Sequence, residues 1–399
     1  MRLRDGSHLT YCSNIHPGET WDEVLEAVIG HYPAVAKQVA AGARFGVGLR
    51  LSDRASRDLG VQGTLDGLRD ILDAHGLYVF TLNGFPYGAF HGTRVKEHVY
   101  LPDWRDDARL LYTDRLAAQL AALLPADGTV SGSVSTVPGA YKSEVRGEAD
   151  VDRIRSRIVR HAATLVGLER ATGRRIVLAL EPEPCCFLET VDESVRFFGE
   201  HLFGDRSARE LGALTGLTAA EAEVALHSHL GLCLDLCHAA VEFEDPRECL
   251  RRLDDAGIAI SKLQISAGLR LTDLGAEALA ALRAYEDPVY LHQVVERGAQ
   301  GLVRYTDLPE AFASLSGRVP PDEWRVHFHV PVFHDELGLF RSTRDFIEAV
   351  LAIHRERPVS PHLEVETYTW NVLPPALRAG SVDSDIAREL AWVLGRLAA

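Results

Sequence analysis

Ile176–Pro184 reads IVLALEPEP: an apolar run that ends in two glutamates alternating with prolines. A run this short, rich in β-branched residues and stopped by proline, predicts a strand over Ile176–Pro182 rather than a helix. Moving outward, the same kind of segment recurs along the chain. The further strand candidates are Thr10–His16, Gly46–Ser52, Tyr78–Gly84, Thr129–Pro138, Gly231–His238, Ile260–Ser266, Val326–Val332 and His362–Trp370.

Between them lie amphipathic segments. Thr20–Val39 opens on Thr20 with Asp22 and Glu23 behind it, a good helix start. Asp152–Thr172 places Ile154, Ile158, Ala162, Leu165 and Leu168 at helical spacing, and Ser342–Glu356 does so with Phe346, Val350 and Ile353. Repeated strand-then-helix units imply right-handed crossovers and a parallel sheet. With this many units, the expectation is a single (β/α)8 TIM barrel spanning residues 1–399. Nine candidates for eight places leave one strand outside the ring. Residues 267–325 read as an insertion, or lid, after the seventh strand, with helical segments at Ala276–Tyr285, Pro288–Glu296 and Pro309–Leu315. Either Val326–Val332 is supernumerary or it displaces Ile260–Ser266.

The chain has 399 residues, 46% hydrophobic and 25% charged, which suffices for a large core without disulfides. Its formal net charge of -15 weighs against a phosphate-neutralising surface, so no nucleic-acid partner is expected. The six cysteines (Cys12, Cys185, Cys186, Cys233, Cys237 and Cys249) lack a disulfide or Cys-x-x-Cys zinc spacing and read as reduced thiols. There is no signal core and no membrane-length apolar run; a cytoplasmic protein without membrane insertion is expected.

In a barrel of this kind the chemistry sits at the C-terminal strand ends. Glu181, Asp235 and Glu366 are acids embedded in apolar strands there. Isolated buried carboxylates are costly; a divalent cation relieves several at once. Three acids plus an imidazole or amide suit Mn2+, Mg2+, Co2+ or Zn2+. His238, three residues after Asp235, lies beside that cluster and can meet a substrate oxygen or a second metal. His327 and His329 share one side of their strand, one as a ligand and one as a substrate contact. Glu183, Lys262, His16 and Asn83 are further candidates for substrate binding. Glu364 lies deeper than Glu366, or pairs with Arg50 or Lys262.

These residues resemble the sugar phosphate isomerase/epimerase superfamily, the xylose-isomerase-like TIM barrels. Glu181-Pro182 looks like its first metal glutamate, Asp235 with His238 like its Asp-x-x-His element, and Glu366 like its closing glutamate. A narrower resemblance, to the EboE family of metabolite traffic proteins, is carried by TYCSNIHPGETW (Thr10–Trp21), FGVGLRLS (Phe45–Ser52) and TLNGFPYGAFHGTRVKEHVYLPDW (Thr81–Trp104). HFHVPVF (His327–Phe333) and EVETYTWNVLP (Glu364–Pro374) carry it as well. That family belongs to a gene cluster linked to secondary-metabolite transport or maturation. One departure concerns Gln264, which stands about where the superfamily carries a histidine ligand. The fourth metal ligand is therefore either Gln264 or His329.

The resemblance implies a metal-dependent isomerase or epimerase of a small sugar- or cyclitol-like metabolite, with Glu181 and Glu366 exchanging a proton and His238 contacting substrate. Two rivals stand beside it. One is a non-catalytic metabolite-binding protein on the same barrel, with Gln264 as its motive. The other is an endonuclease-IV-like phosphodiesterase using His16, His91, His238, His327 and His329. A homodimer and pathway partner proteins complete the expectations.

Overall fold

The computed structural model describes residues 1–40, 42–89, 96–286, 288–370, 373 and 380–398. His91 lies outside these residues. The first seven strands are β1 (His8–Tyr11), β2 (Phe45–Arg50), β3 (Leu77–Asn83), β4 (Gly132–Thr136), β5 (Ile176–Leu180), β6 (Leu230–Asp235) and β7 (Ile260–Ile265). The chain then builds a second sheet from β8 (Ala267–Leu271), β9 (Val294–Gly298), β10 (Gly301–Tyr305), β11 (Glu323–Val330), β12 (Glu336–Leu337) and β13 (Phe340–Ser342). It returns through the helix Arg344–Glu356 to β14 (His362–Val365).

β1 to β7 and β14 form one parallel sheet in the order β1-β14-β7-β6-β5-β4-β3-β2. Cys12, just past β1, bridges Gly48 of β2 in parallel, which brings the two edges together and nearly closes the barrel. The other six strands pair antiparallel in the order β10-β9-β11-β8-β13-β12. The supernumerary strand is thus Val326–Val332, whose Val326–Val330 belongs to β11, and Ile260–Ser266 keeps its place in the ring as β7. The extra strand is one member of a whole antiparallel sheet.

One local expectation is corrected. Pro288–Glu296 is not a helix: Val294–Gly298 is β9, which turns at Gly301 (φ +98°) into β10. The β-branched pair Val294-Val295 and the glycines at 298 and 301 favour a hairpin, and pairing with β11 buries Val294 and Val295. Two strand candidates also end early: Thr10–His16 passes into a 3-10 turn at Ser13–Ile15, and Gly231–His238 into a helix at Leu236. The helix start at Thr20 acts as read. Thr20 and Glu23 form a reciprocal capping box at the head of the helix Trp21–Val39.

Side chains alternate along a strand, so the inward positions stack in layers. In the lowest layer His362 Nδ1 meets Ser133 Oγ at 2.8 Å. Above it Lys262 Nζ lies 2.5 Å from Glu364 Oε1, both side chains fully buried. The next inward residues, Gln264 and Glu366, belong to the mouth of the barrel. Layers this polar need space as well as partners. A Cβ at Gly48 would run into the Glu364 carboxylate, and one at Gly46 into the Phe80 ring, so β2 is glycine where its neighbours are largest. Among the described residues, no helix is long and apolar enough to cross a membrane.

Candidate functional site

Three strand ends deliver acids to one point. Glu181 follows β5, Asp235 ends β6 and Glu366 follows β14; each offers a carboxylate oxygen within 4.8 Å of the other two. Glu183, two residues beyond Glu181, sits higher. Asp235 also caps the helix Leu236–Val241 that starts immediately behind it: its Oδ1 accepts from the His238 amide at 3.0 Å and from Ser266 Oγ at 2.6 Å. That cap explains the Asp-x-x-His spacing, since it fixes the first turn and swings His238 over the acids. Asn14, Asn83 and Gln264 all donate to Glu366, Asn83 at 3.2 Å, and Gln264 reaches Glu181 Oε1 at 3.1 Å.

Among the described residues, no Lys or Arg makes an ion pair with Glu181, Asp235 or Glu366, whereas Glu364 one layer down takes Lys262. Burial, reinforced by the charge of Asp235, pushes the Glu366 carboxyl up to about 8. Burial and the charges of Glu366 and Asp235 likewise hold Glu181 well above the usual carboxylate range. Three carboxylates this close in a dry setting repel unless something positive joins them.

The donor set fits a divalent cation. Glu181 Oε2, Asp235 Oδ2 and His329 Nε2 are buried polar atoms with no hydrogen-bond partner. His329 gives its other ring nitrogen, Nδ1, to the Glu366 carbonyl at 2.7 Å, which leaves the Nε2 lone pair facing inward. That is the arrangement of a metal-binding histidine. Gln264 is turned the other way. Its amide nitrogen faces Glu181 and Glu366, while its oxygen accepts from the Cys233 thiol at 3.5 Å.

A cavity of about 70 Å³ opens above the acids. Asn83, Glu181, Glu183, His238, His327, His329 and Glu366 line it, and Asn14, Lys96, Phe85, Tyr100, Tyr290 and Tyr368 are also part of its wall. Asp235 lies beneath it. Lys262, Gln264 and His16 are not on its lining. Lys262 is committed to Glu364, and His16 stacks on His31 with a ring-centroid distance of 3.9 Å, its Nε2 3.1 Å from Tyr11 Oη. Sequence reasoning passed over Asn14, although its place just past β1 is where the strand-end rule looks. It also passed over Gln293, whose Oε1 meets His327 Nδ1 at 2.8 Å from inside the second sheet; no spacing signal marks that residue. All six cysteines are free, and five of them are buried.

No family model matches the chain, and no curated protein matches it. Solved structures do. A xylose isomerase-like TIM barrel protein from Mycobacterium smegmatis, in complex with magnesium, covers 100% of this chain and 98% of its own at 12% identity, with a TM-score of 0.51. The probable 3-DHS dehydratase AsbF of Bacillus anthracis, involved in petrobactin synthesis, covers 97% and 98% at 10% identity, with a TM-score of 0.49. The IolI protein with a bound zinc atom covers 98% and 97% at 13% identity, with a TM-score of 0.43. With eight parallel strands, helices between them and an overlap along the whole chain, this protein has the xylose isomerase-like TIM-barrel fold.

Proposed function

We propose that the chain is a metal-dependent isomerase or epimerase of a small polyhydroxylated, sugar- or cyclitol-like metabolite. The observation that carries this reading is the trio of Glu181, Asp235 and Glu366, buried together without a lysine or arginine partner, beside the inward-facing Nε2 of His329. In this reading Glu181, Asp235, Glu366 and His329 hold a divalent cation. Of the two candidates for the fourth ligand, His329 is preferred because Gln264 presents an amide N–H to the acids. The magnesium complex of the Mycobacterium smegmatis protein supports a divalent ion by analogy of fold only.

A bound cation supplies polarisation of a substrate carbonyl and neutralises the acids. The residues do the rest. Glu181 and Glu366 face each other across the cavity floor, and each is suited to take a proton from one carbon or oxygen and return it to its neighbour. Asn14 and Asn83 donate to Glu366 Oε1 and orient that carboxylate. The aromatic wall of Phe85, Tyr100, Tyr290 and Tyr368 restricts water around the reacting carbons. The motif resemblance to the EboE family supports placing the reaction in a secondary-metabolite biosynthesis or transport pathway.

The test combines elemental analysis with turnover on a panel of aldoses, ketoses and cyclitols. Glu181→Gln and Glu366→Gln are expected to abolish turnover while leaving the circular dichroism spectrum unchanged. Wild-type-like activity in either variant sinks the mechanism. Absence of any bound cation, with metabolite binding intact, favours the non-catalytic binding protein instead.

A further inference from the structure

The floor of the cavity is carboxylate, imidazole and amide. Its wall is of another kind: Phe85, Pro86, Val99, Tyr290, Leu291 and Tyr368 all line it. These residues come from separate stretches of chain. Phe85 and Pro86 follow β3, Val99 lies in the 3-10 turn Lys96–Tyr100, Tyr290 and Leu291 precede β9, and Tyr368 follows β14. The wall starts directly above the floor. Asn83 gives its Nδ2 to Glu366 and accepts the Phe85 amide on Oδ1 at 3.1 Å, which fixes Phe85 one step beyond the acids. The Tyr368 ring centroid lies 4.6 Å from that of His329 and 5.4 Å from that of Tyr290. His329, Tyr368 and Tyr290 thus form a file of rings that begins at the acidic cluster.

Packing within the wall accounts for part of this composition. Tyr290 packs with Val99, Val289 and Tyr368 in a small apolar cluster rather than in the main core. Val99, Leu291 and Tyr368 nevertheless stay only half-buried, and each also lines the cavity. A hydroxyl held against the side chains of Pro86, Val99 or Leu291 finds no donor or acceptor there, and a polar group buried without a partner is costly. The polar groups beside them are engaged: Lys96 is ion-paired with Asp307 at 2.5 Å, and Tyr100 gives its hydroxyl to Glu183 at 2.8 Å. A bare polyol therefore satisfies its hydroxyls at the floor and leaves the apolar wall uncovered.

We propose that the substrate carries an apolar substituent, alkyl or aryl, on a polyhydroxylated head, and that this wall is the subsite for the substituent. The direction of the head rests on the isomerase reading: carbonyl and hydroxyls lie toward Glu181 and Glu366, the substituent toward Tyr290 and Leu291. The apolar character of the wall is independent of that reading.

The experiment is isothermal titration calorimetry on the full chain with Mg2+ present. The probes are D-gluconamide and its N-methyl, N-propyl and N-benzyl derivatives, which share one polyol head and one carbonyl. From N-methyl to N-propyl, binding is expected to tighten about fourfold for each methylene buried. In Val99→Asn/Leu291→Asn, with both changes at half-buried positions, the N-methyl and N-propyl probes are expected to fall within about threefold of each other. A gain confined to N-benzyl assigns the subsite to aryl groups; one shared by N-propyl assigns it to hydrocarbon in general. Substituted probes that bind the unaltered protein no better than D-gluconamide, or not at all, overturn the proposal. So does a gain that persists undiminished in the double variant, since that is binding elsewhere. A gain in the unaltered protein, with neither Mg2+-dependent binding of the head nor turnover of any sugar, leaves the apolar subsite standing and sinks the isomerase reading. Mg2+-dependent turnover of unsubstituted aldoses with no such gain does the reverse.

Discussion

Replacing Lys262 with methionine keeps most of the side-chain volume and removes the charge that Glu364 faces. The two groups are 2.5 Å apart and neither side chain is exposed at all. Burial alone would drive the ammonium to give up its proton; the Glu364 carboxylate overrides that and keeps Lys262 above the usual lysine range. The pair is therefore ionised and dry. Breaking such a pair from one side strands a charge and costs about 3–5 kcal/mol, against a total stability of roughly 5–15 kcal/mol. Removing both charges together is far milder, because nothing is left uncompensated. Urea unfolding followed by circular dichroism is the assay. Lys262→Met is expected to lose about 3–5 kcal/mol, and Lys262→Met/Glu364→Gln to recover most of that loss. If the single variant stays within about 1 kcal/mol of wild type, or the double variant equals the sum of the two singles, the pair is not the buried contact described.

Two further outcomes are expected elsewhere. Glu389, on the C-terminal helix, reaches into the core to accept from Thr367 Oγ1 at 2.6 Å, the Val332 amide at 3.1 Å and Trp370 Nε1 at 3.4 Å. Burial outweighs those bonds and pushes its carboxyl from the usual 4.5 up to about 7. Between those values the folded chain keeps a proton that the unfolded chain has lost, so stability falls as pH rises through that window. The drop is about 3 kcal/mol. Glu389→Gln has no such titration, and the gap between the two stability curves is expected to open between pH 4.5 and 8; parallel curves would falsify the burial argument. At Gly48 an added methyl would meet the Glu364 carboxylate and lie 2.6 Å from the Tyr11 carbonyl, so Gly48→Ala is expected to cost about 3 kcal/mol or more in the same urea assay. Gly67→Ala, on an open helix face where a Cβ meets nothing, serves as the control and is expected to be neutral or to gain about 0.5–1 kcal/mol.

Much of the barrel was legible because its signals are local. IVLALEPEP announces a strand by composition and stops it with proline, and the capping box at Thr20 starts a helix whatever surrounds it. The acids were legible for a related reason. A carboxylate inside an apolar run is costly wherever the chain goes, so Glu181, Asp235 and Glu366 stood out before any geometry was known. The second sheet was not legible in the same way. β9 and β10 are short, β10 is largely exposed, and the pairing of β9 with β11 depends on residues more than 20 positions away. Val294–Glu296 could be mistaken for the end of a helix because β11, the partner that buries it, is not a neighbour in sequence.

By itself the sequence determined the strand-and-helix alternation, the acidic strand ends and the paired histidines at 327 and 329, since each rests on side-chain chemistry at fixed spacing. Only the tertiary structure decided which glutamate meets a lysine and which joins the other acids. Glu364 lies on β14 and Glu366 just past its end, yet the Lys262 ammonium meets the first and the Gln264 amide donates to the second. Tertiary structure also decided the hydrogen positions on the histidines. A ring nitrogen keeps its proton where a carbonyl waits for it, and the carbonyls of Pro182 and Glu366 and the side chain of Gln293 reach His238, His329 and His327 only once both sheets have closed over the barrel mouth.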